Sequence, residues 1–325
     1  MVKNVNTFLS VTIFSSLIAL SLILSFNSAF SSLTIEGISL WLTLILPAMF
    51  PYFFITAILS SLRITSKIAS KFSPLTKRLF NVGGGCGYAF FMSLIAGYPI
   101  GAKIIADLYE KGAISKSESI RASTFCSTSS PMFLINSVGT IMLKSSAFGL
   151  ILLVSSTLSA IIIGIIFSHY NKNDKPNSLP FVSNQKIDNI LYESAYSSVI
   201  SVLVVGAIIT AFYILSSILF HFNILSPIIT LFSLILGDYK KAKALVFGLI
   251  ESTSGLKLLS GLTFNRLTLP LSAFICGFGG LSVIMQSLAY LKKAKIKTAP
   301  FIKAKLLSAV VNFIITYLIC LIFGL

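Results

Sequence analysis

Charge is what this sequence has least of. Asp and Glu together number nine, and only 10% of the residues are charged, against roughly a quarter in a soluble domain. So few charges do not cover the surface of a water-soluble globule of this size, which excludes an ordinary cytosolic enzyme and a disordered chain. The four cysteines, Cys86, Cys126, Cys276 and Cys320, all lie in apolar stretches, none in a CxxC pair, and there are two histidines. That excludes a disulfide scaffold, and the thiols read as small apolar packers with no metal or redox centre. No Ser/His/Asp arrangement, HExxH or GxxxxGK[ST] loop occurs, and the run Gly83 to Gly87 leads into apolar residues without a Lys-Ser/Thr pair. Neither an enzyme nor a nucleotide or other cofactor is expected. Alternating apolar and polar residues are missing too, so a β-barrel is disfavoured.

What is present is apolar blocks. Hydrophobic residues make up 55% of 325 residues, and the mean hydropathy is +0.94. The net charge of +16 sits in short loops between the blocks, without the aromatic-interleaved basic stripe of a nucleic-acid binder. The excess of positive charge in cytoplasmic loops of membrane proteins accounts for it. The expected class is an all-α, multi-pass integral membrane protein whose partner is the lipid bilayer.

The uncharged runs 8–26, 37–62, 122–143, 145–168, 194–219, 267–291 and 306–325 read as seven spans, with Pro47 and Pro51 bending the second. Residues 63–78, with Arg63, Lys67, Lys71, Lys77 and Arg78 and no acid, read as an interfacial helix on the cytoplasmic face. Residues 292–305 read as a strongly basic loop. Two regions carry too much Gly, Pro or Ser for plain spans: 81–108, with Gly97-Tyr98-Pro99-Ile100-Gly101, and 244–264, with Glu251-Ser252-Thr253-Ser254-Gly255. Both read as re-entrant helical hairpins. Breaks are expected at Ser127 to Pro131 and at Gly277 to Gly280.

The order of features recurs. Leu94 to Lys103 resembles Leu249 to Lys257, each follows a Ser-Pro (Ser73-Pro74, Ser226-Pro227), and each precedes a broken span. A first repeat of about 37–168 and a second of about 193–325, joined by the polar loop 169–192, then form one polytopic membrane domain. With the N-terminus inside, the two hairpins enter from opposite faces. The result is an inverted-repeat, transporter-like bundle with two hairpins and broken helices.

Irregular backbone at membrane depth is tolerated only where it faces protein or a wet cavity. The candidate substrate site is therefore Gly97, Tyr98, Pro99, Gly101, Lys103, Ser127, Thr128, Ser129, Ser130, Ser252, Thr253, Lys257, Gly279 and Gly280. Helix N-termini and hydroxyls suit a small anionic substrate, and Lys103 and Lys257, at matching repeat positions, supply charge. Glu251 is the candidate for a coupling proton or cation, or for neutralising Lys257.

Gly97 to Lys103, Leu108-Tyr109-Glu110-Lys111-Gly112-Ala113-Ile114-Ser115 and Ser129 to Gly139 resemble the YlbJ-type sporulation integral membrane family, which carries the nucleoside-recognition Gate domain. Glu251 to Gly255 and Phe278 to Val283 resemble its second-half motifs. The resemblance implies a role in endospore formation and transport of the dianion dipicolinate across the outer forespore membrane. A nucleoside or nucleobase carrier, or a non-transporting Gate-domain scaffold for spore maturation, are the other readings. Against a nucleoside carrier, only Glu251 and Gln286 offer the carboxylate or amide that a sugar would need.

Overall fold

With no water to bond to, an apolar chain in a bilayer satisfies its backbone within helices. The computed structural model describes residues 28–61, 64–171 and 189–324, and among these residues there is no strand. The candidate span 8–26, Arg63 and most of the loop 169–192 lie outside the described residues.

The helices are α1 (Ser28–Leu40), α2 (Leu46–Ser61), α3 (Ile64–Phe80), α4 (Gly84–Ala96), α5 (Ile100–Glu110), α6 (Lys116–Phe125), α7 (Ser146–Ile166), α8 (Ile190–His221), α9 (Ser226–Leu236), α10 (Tyr239–Ile250), α11 (Ser252–Ser260), α12 (Thr268–Phe278), α13 (Gly280–Lys293) and α14 (Ala299–Phe323). Among the described residues, five stretches are long and apolar enough to cross a membrane: Ser31–Leu59, Ser146–Ile166, Ile190–His221, Thr268–Lys293 and Ala299–Phe323. Large aliphatic side chains such as Leu203 and Val204 on α8, and Val310, Ile314 and Leu318 on α14, face outward. Outward apolar surface on this scale suits lipid rather than water.

Several details differ from the sequence reading. α1 and α2 run on as one candidate span, and the irregularity is a π-helical stretch, Trp41–Ile45, just before Pro47. The wider turns accommodate a residue that lacks an N–H and crowds the carbonyl four positions back. Residues 122–143 are interrupted at 126–130, where the sequence places a break, but the part beyond it is π-helical. They divide into the end of α6, an extended stretch and the ten-residue π-helical segment Phe133–Met142. α14 begins at Ala299, seven residues before the expected span, because Pro300 suits the first turn of a helix. Lys303 and Lys305 are therefore helical residues.

α4 and α5 form the first hairpin, reversing at Gly97, whose φ of +79° is open only to glycine. α10 and α11 form the second, reversing at Glu251, with Gly255 packed against the Gly248 backbone. α3 meets α4 at 95°, the geometry of a surface helix leading into a re-entrant one.

The base of each hairpin is fastened to a different end of α7. At the first base, Ser115 and Glu118 form a capping box that starts α6. The buried Glu118 carboxylate accepts from Gly83 N–H (2.7 Å) and Ser115 N–H (3.0 Å). Arg121 donates to the carbonyls of Asn81 (3.0 Å), Tyr170 (3.3 Å) and Asn171 (3.1 Å), and Asn81 donates to Ser168 O (3.2 Å), all at the C-terminal end of α7. At the second base, Phe264 stacks on Phe148 (4.7 Å) near the N-terminus of α7. α7 has 21 residues, about 31 Å at 1.5 Å per residue, so the hairpins enter the bundle from opposite ends. α14 lies antiparallel on α7, with Ser308 against Ser159 (3.2 Å) and Thr316 against Ser155 (2.9 Å).

Candidate functional site

The two hairpin tips and the two helix breaks meet. α6 stops at Phe125, and residues 126–130 are non-helical until Pro131 opens the next segment. Proline disfavours helical geometry in the residue before it, which is why the span opens here. The exposed backbone is taken up by the first tip: Tyr98 N–H donates to Thr128 O (2.8 Å) and Thr128 Oγ1 donates to Ser93 O (2.7 Å). A Cβ on Gly97 would come 2.6 Å from Ser130 N, so the tip and the break touch backbone to backbone.

The second tip is organised by Glu251. It is 0% exposed and caps its own helix, its two oxygens accepting from Thr253 N–H (2.9 Å) and Ser254 N–H (2.6 Å). The second break is Gly279-Gly280, both with φ near +80°. A Cβ on Gly280 would lie 2.9 Å from Ser252 N. Tyr98 joins the halves: its hydroxyl accepts from Ser129 Oγ (3.0 Å) at the first break, and it shares a cavity lining with Ser252 at the second tip.

Lys305 stands beside this junction. It is 2% exposed, its Nζ donates to Ser127 O (3.2 Å) and sits 5.4 Å from the Tyr98 ring centroid, and no carboxylate pairs with it among the described residues. A cavity of about 10 Å³, room for roughly one water, lies between Lys305, Ser127, Thr128, Ser156, Cys276 and Ser308. Ser127 Oγ is buried without a partner. A second cavity of about 20 Å³ is lined by Tyr98, Glu251, Ser252, Thr253, Gln286 and apolar side chains. Tyr98 lines this second cavity and turns its ring toward Lys305 at the first.

Of the residues expected at the site, the structure gathers Gly97, Tyr98, Pro99, Gly101, Ser127 to Ser130, Glu251, Ser252, Thr253, Gly279 and Gly280 around these tips and breaks. Lys103 and Lys257 lie apart from them. Lys103 Nζ reaches Ser197 Oγ on α8 (3.2 Å), and Lys257 is exposed on the outer side of α11. Glu251 bonds its own helix rather than Lys257. Sequence reasoning missed Lys305 and considered Gln286 only for the sugar of a nucleoside. Lys305, Ser308, Asn312 and Thr316 share one face of α14 at spacings of three and four, a polar stripe in an apolar helix that a span begun at 306 cuts off. Outside the membrane-spanning segments, Asp238 caps α10, and its side-chain hydrogen bond with Lys241 (2.9 Å) holds its carboxyl below the usual range.

The hydroxyls of the first break separate into two kinds. Thr128→Val removes the bond to Ser93 O and should cost the empty protein about 1–2 kcal/mol. Ser127→Ala removes a hydroxyl that bonds nothing and should stay within about 0.5 kcal/mol. Thermal unfolding in detergent compares them, and equal losses would give Ser127 a structural partner.

Fold and centre together define a multi-pass all-α integral membrane protein with a buried polar junction of hairpin tips and broken helices. Among curated proteins the chain is similar to the sporulation integral membrane protein YlbJ of Bacillus subtilis (strain 168), 26% identical over 336 aligned positions that cover 95% of this chain and 81% of that protein. This near end-to-end similarity supports membership of the YlbJ family of sporulation integral membrane proteins. No protein-family model matches the chain, and no solved structure matches it.

Proposed function

We propose that the protein is a sporulation membrane transporter of the inverted-repeat, Gate-domain type that moves a small organic dianion, dipicolinate, across the outer forespore membrane. The observation that carries this reading is Lys305. A lysine deep in an apolar helix, with no carboxylate partner among the described residues and an unpartnered hydroxyl beside it, is an electrostatic vacancy that an anion fills. The hairpins, entering from opposite ends and closing on this point, are the parts that alternating access requires. The similarity to a sporulation protein supports the setting.

One observation favours a second reading. Glu251 and Gln286 line one largely apolar cavity with Thr253, which suits a neutral, hydrogen-bonding ligand such as a nucleoside. Uptake by purified protein in liposomes separates the two. Labelled dipicolinate should accumulate above protein-free vesicles and be competed by excess unlabelled dipicolinate, not by uridine. Competition by uridine would favour the nucleoside carrier, and no uptake of either would favour a non-transporting scaffold.

A further inference from the structure

We infer that the N-terminus of α11, together with Gln286, is a carboxylate-binding site that the protein's own Glu251 fills while the site is empty, and that a substrate carboxylate enters by displacing Glu251, which then takes up a proton. This rests on the transport reading above for the identity of the incoming anion, but the site itself stands on its own geometry.

Glu251 accepts from two backbone N–H groups of the first turn of α11, at 2.9 and 2.6 Å. Those donors recognise any carboxylate, since they belong to the helix and its dipole and not to a side chain that selects glutamate. A second, independent group points at the same place. Gln286, 3% exposed on α13, presents its Nε2 without a hydrogen-bond acceptor in the cavity that Glu251, Ser252 and Thr253 line. Leaving a buried amide donor unpaired is costly, and a carboxylate oxygen within its reach relieves it. Glu251, folded back onto the α11 N–H groups, leaves Gln286 Nε2 without that acceptor.

The ionisable groups that face Glu251 are Tyr98 from the first tip and Tyr213 from α8, the latter bonded to Glu36. Lys305 lies across the Gly279-Gly280 break. No cation forms an ion pair with Glu251 among the described residues. A carboxylate arriving on the α11 donors therefore puts two like charges in one desolvated cavity, a situation in which one of the two becomes protonated. The proton comes from the aqueous side that admitted the ligand and binds the Glu251 carboxylate as it leaves its two N–H donors. When the ligand departs, Glu251 releases the proton and caps α11 again. The one covalent change is this proton transfer, in which hydronium on the aqueous side loses an O–H bond and Glu251 gains one, and one proton is taken up for each anion bound.

Two measurements on the full-length protein in detergent test this. The first is calorimetric titration with dipicolinate in buffers of different ionisation enthalpy, which counts protons. Wild type should take up about one proton per ligand, Glu251→Gln should take up none and bind about tenfold more tightly because the competing charge is gone, and Gln286→Leu should bind about tenfold more weakly with proton uptake unchanged. Binding by wild type without proton uptake, or proton uptake retained in Glu251→Gln, would overturn the displacement step while leaving the transport reading intact. The second uses acetate alone. Glu251→Ala vacates the helix N-terminus, and acetate should raise its thermal stability while leaving wild type unmoved. Glu251→Gln serves as the folded control, because its amide oxygen still caps α11. Acetate stabilisation of Glu251→Ala without any dipicolinate binding by wild type would keep the carboxylate site and remove dipicolinate as the substrate. Absence of acetate stabilisation in a folded Glu251→Ala would remove the site.

Discussion

Gly101→Ala should leave little or no folded protein after detergent extraction. Gly101 stands in the first turn of α5, two residues past the tip, where the hairpin crosses the end of α6. A Cβ there would overlap the Cys126 carbonyl oxygen and lie 2.8 Å from Ser93 Cβ. The first obstacle is backbone, so no side-chain rotation relieves it, and moving it pulls Thr128 and Ser129 away from the tip they bond. Overpacking in a well-packed interior typically costs 1–3 kcal/mol, and a clash with fixed backbone on both sides belongs at about 3 kcal/mol or beyond. Two other glycines supply the scale. Gly112→Ala faces open space and should cost only the left-handed penalty of its φ of +68°, about 1–2 kcal/mol. Gly261→Ala, with ordinary φ and no close neighbour, should be nearly neutral. The measurement is the monodisperse fraction by size exclusion and the unfolding temperature of each variant. A well-folded Gly101→Ala would mean that the first tip and the first break are not in contact.

The same residues explain why the breaks were legible in the sequence and the charge at the site was not. Gly97-Tyr98-Pro99, Ser127 to Pro131 and Gly279-Gly280 act through their own backbone. A glycine at positive φ or a proline without an N–H opens a helix wherever it lies, so position in the chain suffices to find it. A lysine gives no such signal. Whether its stem snorkels to an interface or carries its amine inward depends on where the helix starts and which face its neighbours cover. Lys103 and Lys257 hold matching places after the two tips, yet helical phase turns one toward α8 and leaves the other exposed. Lys305, counted with a basic loop, lies inside α14 because that helix begins at Ala299, and α14 then delivers it to the Ser127 carbonyl. Glu251 was legible as a lone acid in an apolar setting, but its partners were not, since a glutamate that caps its own helix looks from sequence like one waiting for a cation.

Lys305→Met should abolish dipicolinate uptake and raise the thermal stability of the empty protein. These two effects have opposite signs, and together they separate a substrate-binding lysine from a structural one. In the empty protein the ammonium is buried at 2% exposure and has one carbonyl at 3.2 Å and the face of Tyr98 at 5.4 Å to offset its lost hydration. Replacing a poorly compensated buried charge by an apolar side chain of similar length is commonly neutral or stabilising by about 1–4 kcal/mol. The substrate loses a charge-assisted contact of about 1.5–3 kcal/mol, a fall in affinity of between roughly tenfold and more than a hundredfold, and the methionine leaves the anion facing an apolar wall. Lys305→Gln should fall between the two, since it can still donate to Ser127 O without carrying charge. Lys305→Arg should transport poorly despite its charge, because the guanidinium exceeds the cavity of about 10 Å³ beside Ser127 and Ser308. Uptake in liposomes and unfolding temperature in detergent are read on the same preparations. A Lys305→Met protein that transports dipicolinate as well as the parent, or one destabilised by several kcal/mol with its uptake per folded molecule intact, would make Lys305 a packing residue and move anion recognition to another part of the junction.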